Sequence, residues 1–255
     1  MDFLPRSDPN QTVDNPGDHT PEILNLLKHG SIKAVGQVVW GSNYTFLVSV
    51  NEGESAVQAI YKPARGERPL WDFPHGSLVE REAAAYLVSE ALSWGLVPPT
   101  ILRQDGPAGP GSLQLYIEAN PEEHYFTFDK TQKQRLRPLA LFDILVNNAD
   151  RKGGHILVDG NGVLWSIDHG VCFHVEPKLR TVVWDFIGEP IPGNLVSDIQ
   201  NVYDQLTPGS SLTDQLANLL DESEIEALKQ RATALLREPK YPIPGPGRPY
   251  PWPLV

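Results

Sequence analysis

The sequence predicts an α+β, bilobal fold: a small sheet-plus-helix N-lobe followed by a mainly helical C-lobe. Three observations carry that expectation. Strand-like alternation is concentrated in the first half, where Tyr44, Phe46, Val48 and Val50 fall on one face. A single strong helix-forming run, "REAAAYLVSEAL", is set among those strands. Beyond position 130 the apolar residues recur mostly at helical spacing.

Taken in order, residues 1–19 are polar, rich in Asp, Asn and Pro, and read as a flexible leader. Thr20-Pro21 supplies an N-cap and a first-turn proline, and Gly30 closes a short helix. "SIKAVGQVVW" and "YTFLVSV" read as strands joined by the turn Gly41-Ser42-Asn43, and "AVQAIYK" as a third strand ending at Lys62-Pro63. Ser77-Leu78-Val79-Glu80 forms a predicted capping box for the helix that runs to Gly95. "LVPPTILR" and "GSLQLYIEA" add two strands, and the N-lobe is expected over 20–118. The C-lobe, 119–238, opens with a helix over Thr131–Asn147 that Pro138 either kinks or starts. "HILVD" and "VLWSID" form a hairpin about Gly160-Asn161-Gly162, and "DESEIEALKQRATALLRE" is an amphipathic helix. The Pro-rich tail, 239–255, lies in polyproline conformation along the surface or stays mobile.

Composition narrows the function classes. A net charge of −11 opposes broad nucleic-acid binding and docking on anionic lipid. The first twenty residues hold neither a long apolar stretch nor a cationic leader, so neither a signal peptide nor a stable membrane anchor is expected. The one cysteine, Cys172, has no disulfide partner in the chain, which suits the cytoplasm. Without a cysteine cluster, His155 and His169 make no standard zinc site.

The order of parts points to chemistry on a nucleotide. Strand, glycine turn, strand, strand ending in lysine, helix with glutamates, polar loop and a later aspartate is what phosphoryl transfer from ATP requires. Ser42 and the free backbone N–H groups of the Gly41-Ser42-Asn43 turn suit phosphate oxygens. Lys62 would orient the α- and β-phosphates. Glu82 would orient Lys62, because Glu80 is taken by the capping box. In "NNADRKGGH", Asp150 is the candidate base for an incoming hydroxyl. Lys152 would steady charge on the transferred group, and Arg151 would pair with a carboxylate in the lobe. Asp168 of "SIDHG", beyond the hairpin, is placed for a divalent metal ion.

At these residues the sequence resembles the phosphatidylinositol 3-/4-kinase-like superfamily, most of all the type II phosphatidylinositol 4-kinase branch. The shared pieces are "AIYKP", "REAAAYLVSEALSWGLVPPT", "GSLQLYIEA", "FDILVNNADRKGGHILVD" and "SIDHG". The chain also looks like a group of actinobacterial proteins carrying "YKPARGERPLWDFP" and "NNADRKGGH". The resemblance implies a protein-kinase-like fold with ATP in the cleft, Gln114, Leu115, Tyr116 and Ile117 against adenine, Asp150 as catalytic aspartate and Asp168 as metal ligand. His155 stands where the family's loop usually carries a metal-binding asparagine, so His155 becomes the second candidate ligand. Imidazole tilts the expected ion from Mg²⁺ toward Mn²⁺. The acceptor region, "VCFHVEPKLRTVVWDF", offers Lys178 and Arg180 beside Glu176 and Asp185, a thin cationic surface for a polyanionic lipid. The reading is an ATP-dependent phosphotransferase acting on a protein, small-molecule or lipid hydroxyl. Its rivals are a nucleotide-binding pseudokinase scaffold and an AMP transferase using the same cleft.

Overall fold

A computed structural model describes residues 20–38, 44–245 and 247–255. The leader expected at 1–19 and the turn Gly41-Ser42-Asn43 lie outside those residues. Helix α1, Thr20–His29, ends where the Gly30 N–H donates to the Leu26 carbonyl at 2.8 Å. A Cβ on Gly30 would stand 2.7 Å from that carbonyl oxygen and from a Val50 methyl, so only glycine lets the chain turn there against the sheet.

Strands β1 (Ser31–Val38), β2 (Thr45–Glu52), β3 (Ser55–Pro63), β4 (Thr100–Gly106) and β5 (Gly109–Leu115) form one antiparallel sheet in the order β1-β2-β3-β5-β4. The alternating pattern buries Val48, Val50, Ala59, Tyr61 and Leu113 against Leu27 of α1. β4 starts at Thr100 rather than at Leu96. Pro98 and Pro99 have no N–H for the ladder, so the strand begins after them.

Helix α2, Leu78–Ala91, crosses from one lobe to the other. Its Ala84, Ala85, Tyr86 and Val88 belong to the large core of the second lobe. Arg81 on α2 donates to the Cys172 carbonyl at 2.8 Å and to Glu224 at 2.6 Å. The helix is therefore anchored to the C-lobe by burial and by a cation. The predicted capping box is not formed. Ser77 is helical itself (ψ −8°), which turns its hydroxyl from the third helical N–H; it donates instead to the Pro74 carbonyl at 2.8 Å. Glu67, from the β3–α2 connection, takes the capping place and accepts the Val79 N–H at 2.9 Å.

The second lobe is helical around a two-stranded hairpin. The run predicted as one helix is two: α3, Lys130–Gln134, and α4, Arg137–Val146, with Pro138 in the first turn of α4. β6 (Ile156–Val158) pairs with β7 (Leu164–Ser166) as the sequence predicts. α5 (Gly193–Gln205) and α6 (Ser211–Leu216) were not assigned from sequence, and α7 (Glu222–Arg237) was. Nor is the tail merely a surface polyproline run: Pro249 and Leu254 accept backbone hydrogen bonds from Thr181 and Gly153, and Tyr241 is buried. Among the described residues no helix is long and apolar enough to cross a membrane.

The capping exchange is testable by urea denaturation. Glu67→Ala should cost about 1 kcal/mol by orphaning the Val79 N–H. Ser77→Ala should stay within about 0.5 kcal/mol; the reverse order would restore the capping box.

Candidate active site

Lys62, near the end of β3, reaches across to α2 and to the C-lobe at once. Its Nζ lies 2.5 Å from Glu82 Oε1 and 3.0 Å from Asp168 Oδ1. Burial alone would lower the ammonium pKa, but the Asp168 and Glu82 carboxylates reverse this and hold it above its ordinary range. Lys62 is therefore charged at neutral pH. The other Glu82 oxygen accepts the His169 N–H at 3.0 Å, so one buried carboxylate orients both the lysine and the loop after β7. Glu82 is the partner named from sequence, although the elimination of Glu80 by a capping box fails; Glu80 sits near Asp221 and Glu224 instead.

The loop after α4 is built by its own asparagines. Asn147 takes the left-handed conformation (φ 54°) at the end of α4, which asparagine tolerates better than most residues. Its amide donates to the His174 and Glu176 carbonyls and accepts the Lys178 N–H at 2.9 Å. Asn148 accepts the Asp150 N–H at 2.9 Å and donates to Asp143 at 3.0 Å. Asp150 is thus held at the loop's apex, with Lys152 Nζ 2.9 Å from its Oδ2. Burial pushes the Asp150 carboxyl up, against the pull of Lys152. Arg151 points inward and pairs with fully buried Asp143 at 3.1 Å, the structural role expected of it.

His155 closes the loop beside Asp168, with Nε2 3.2 Å from Oδ2. Burial lowers the imidazole to about 4, although Asp168 opposes this, so the ring is neutral at pH 7. Asp168 is left-handed (φ 62°), and Lys62 beside it holds its carboxyl below the usual range. His169, in the middle of the Asp-His-Gly triplet, is fully buried; its Nε2 lies 2.6 Å from Arg151 Nη2 and 3.1 Å from Ser166 Oγ. It braces Asp168 from within rather than facing the cleft. A divalent ion fits this donor set. One ionised carboxylate and one neutral imidazole side by side supply two ligands, the usual protein share when phosphate oxygens and water complete the sphere. Among the described residues no group of three or more His, Cys, Asp or Glu is placed to hold a metal ion.

The remaining sequence-derived residues are placed unevenly. Ser42 and Asn43 lie outside the described residues. The Gln114 side chain is committed inside the sheet, donating to Thr100 Oγ1 at 2.8 Å. The Leu115 and Tyr116 N–H groups go to the Pro99 and Gln58 carbonyls, and Ile117 follows in the connection to the C-lobe. Lys178, half of the cationic acceptor surface, is taken by Asp72 at 2.6 Å. Sequence reasoning passed over Asp143 and Thr181, and weighed His169 only as a zinc candidate and as the middle of the Asp168-His169-Gly170 triplet. Asp143 left a signal, a single acid within the apolar run "LALFDILV", where a carboxylate is buried only with partners. Thr181 left none: it donates to Asp143 at 3.0 Å from far along the chain.

The family model described as phosphatidylinositol 3- and 4-kinase matches residues 77–236. Protein Rv2133c of Mycobacterium tuberculosis is 41% identical over 263 residues, covering 89% of this chain and 94% of its own. Phosphatidylinositol 4-kinase gamma 4 of Oryza sativa subsp. japonica is 28% identical over 179 residues, 56% of this chain but only 32% of that protein. Among solved structures, the Golgi casein kinase with Mn/ADP bound superposes with a TM-score of 0.54 at 14% identity, covering 87% of this chain and 75% of that one. The Helicobacter pylori proinflammatory kinase CtkA gives 0.51 at 12%, covering 84% and 94%. The structural likenesses establish a kinase-like fold, and the sequence matches establish that the chain belongs to the phosphatidylinositol 3- and 4-kinase family.

Proposed function

We propose that the chain is an ATP-dependent phosphotransferase, a kinase moving the γ-phosphoryl group of ATP to a hydroxyl acceptor. Nucleotide would lie between an N-lobe over 20–118 and a C-lobe over 119–238. The observation that carries this reading is Lys62, charged and held simultaneously by Glu82 and Asp168. A surface lysine needs neither partner; a lysine aimed at phosphates needs both its charge and its direction fixed.

The chain's residues divide the work. Lys62 binds and orients the α- and β-phosphates, with Glu82 fixing its direction. Asp150 accepts the proton as the acceptor oxygen bonds to phosphorus and the bond to ADP breaks. Burial raises its basicity toward working pH, which favours that proton transfer. Lys152, bonded to Asp150, faces the charge on the transferred group. Asp168 and His155 would hold a Mg²⁺ or Mn²⁺ ion, which supplies charge neutralisation along the phosphates. Ser42, Asn43 and the backbone of Leu115–Ile117 complete the nucleotide contacts in this reading, and Gln114 supports them through Thr100.

Three outcomes are expected. ATP labelled at the γ position should lose its label to an acceptor or to water, and Asp150→Ala should slow this roughly a hundredfold or more; incorporation of α-label would mark AMP transfer instead. Lys62→Ala should weaken ATP binding about tenfold or more with the thermal melt intact, and unchanged affinity would remove Lys62 from the site. Wild type should work better with Mn²⁺ than with Mg²⁺, and His155→Asn should move the preference toward Mg²⁺. Identical ATP affinity with either ion and with none would end the ligand role of His155.

A further inference from the structure

Residues Pro249–Val255 lie against the catalytic loop, and a cavity remains between them and the C-lobe. The Gly153 N–H donates to the Leu254 carbonyl at 2.8 Å, and the Gly153 carbonyl accepts the Tyr125 N–H at 3.4 Å. A Cβ on Gly153 would fall 2.8 Å from the Phe126 ring, so that ring rests on the loop backbone itself. On the other side, the Val182 N–H donates to the Arg151 carbonyl at 3.1 Å. The Pro249 carbonyl accepts from Thr181 N at 3.0 Å and from Trp184 Nε1 at 3.2 Å. The walls of the cavity are thus bonded to the residues on both sides of Lys152.

The cavity has a volume of about 280 Å³. Four aromatic residues, Tyr125, Phe126, Trp184 and Tyr250, line it with Leu254 and Asp185, and no lysine or arginine does. The charge of Asp185 is already answered: its Oδ2 accepts the Tyr125 hydroxyl at 2.7 Å, and Lys133 Nζ stands 3.6 Å from Oδ1. The lining therefore calls for neither an anion nor a cation. It offers flat apolar faces to a ring and oxygen atoms to its hydroxyls. Phe126 and Tyr250 remain 47% and 46% exposed, which keeps the mouth open. The volume suits one ring, at the small end of ligand pockets.

We propose that this cavity is an acceptor subsite, seating the ring of an uncharged hydroxyl compound such as a glycoside, with the tail as one of its walls. The proposal rests on the phosphotransferase reading and narrows its acceptor. No lysine or arginine lines the cavity for a polyanionic headgroup, and Lys133 is engaged by Asp185 and the Tyr125 ring, whereas a sugar or aromatic ring finds stacking surfaces against the loop backbone on either side of Lys152.

The test is ligand-observed NMR with p-nitrophenyl β-D-glucoside, in the presence of ADP and Mg²⁺, with inositol 1-phosphate as competitor. Wild type should bind the glycoside, and Trp184→Ala and Tyr250→Ala should each weaken binding roughly tenfold. Inositol 1-phosphate should not displace it. Equal binding by all three proteins, no binding by wild type, or displacement by the phosphate would each overturn the subsite. Tyr250 is half exposed on the tail, so its variant reports even where Trp184→Ala fails to fold. ADP affinity is read in the same samples. Loss of nucleotide binding by wild type counts against the phosphotransferase reading, whereas nucleotide binding without glycoside binding counts against this subsite alone.

Discussion

The buried pair of Asp143 and Arg151 is the constraint on which the rest of the site depends. Asp143 on α4 accepts from Arg151, Asn148 and Thr181, and so gathers a helix, the loop after it and the segment around Thr181 about one carboxylate. Arg151 carries the connection onward, donating to the Ile167 carbonyl at 2.6 Å and meeting His169. Burial pushes the Asp143 carboxyl up against the pull of these donors. Such a pair contributes geometry more than net stability, because desolvation consumes most of its Coulomb gain. Removing one partner is a different matter and costs about 3–5 kcal/mol. Asp150 and Lys152, neighbours of Arg151 in sequence, are therefore aimed by a residue that points the opposite way.

Lys62 performs the corresponding task between the lobes. It sits on the sheet, yet both of its partners are fixed to the C-lobe: Glu82 through an α2 face buried in that core, and Asp168 through His169. Around the cleft, Glu82, Asp150 and Asp168 face Lys62, Lys152 and a neutral His155. The carboxylates outnumber the ammoniums on a chain whose net charge is −11. A triphosphate entering such a place without a counterion meets net repulsion. On the proposed reading, a divalent ion would offset that repulsion as the nucleotide enters.

Much of this was legible in the sequence, for reasons that differ by element. β1–β3, α2 and α7 are local: alternation or helical spacing over eight or more residues names them. Lys62, Glu82, Asp150 and Asp168 were legible because their types and order match the parts of phosphoryl transfer, and the structure brings all four together. The α2 cap was misread because Ser77 takes helical ψ and a remote Glu67 supplies the acceptor, a choice made by the β3–α2 connection and not by the tetrapeptide. Asp143 and Thr181 are joined across 38 positions, and Gly153 and Leu254 across a hundred. Pairing at that distance leaves no periodicity for a local reading to find.

The hydrogen bonds of His155 limit the roles its ring can take beside Asp168. Its Nδ1 faces the Lys152 N–H at 3.4 Å and so accepts, which leaves the proton of the neutral ring on Nε2, pointing at Asp168. In that tautomer the ring acts as a donor that orients Asp168. Ligation through Nε2 asks the proton to move to Nδ1, where it meets the Lys152 N–H, so the two roles of the ring exclude each other. An asparagine there has no such conflict, since its amide presents oxygen and N–H together. On the proposed reading, the histidine would couple a metal held at Asp168 to the backbone of Lys152, next to Asp150, and that backbone is held in turn by the Leu254 carbonyl one residue further on.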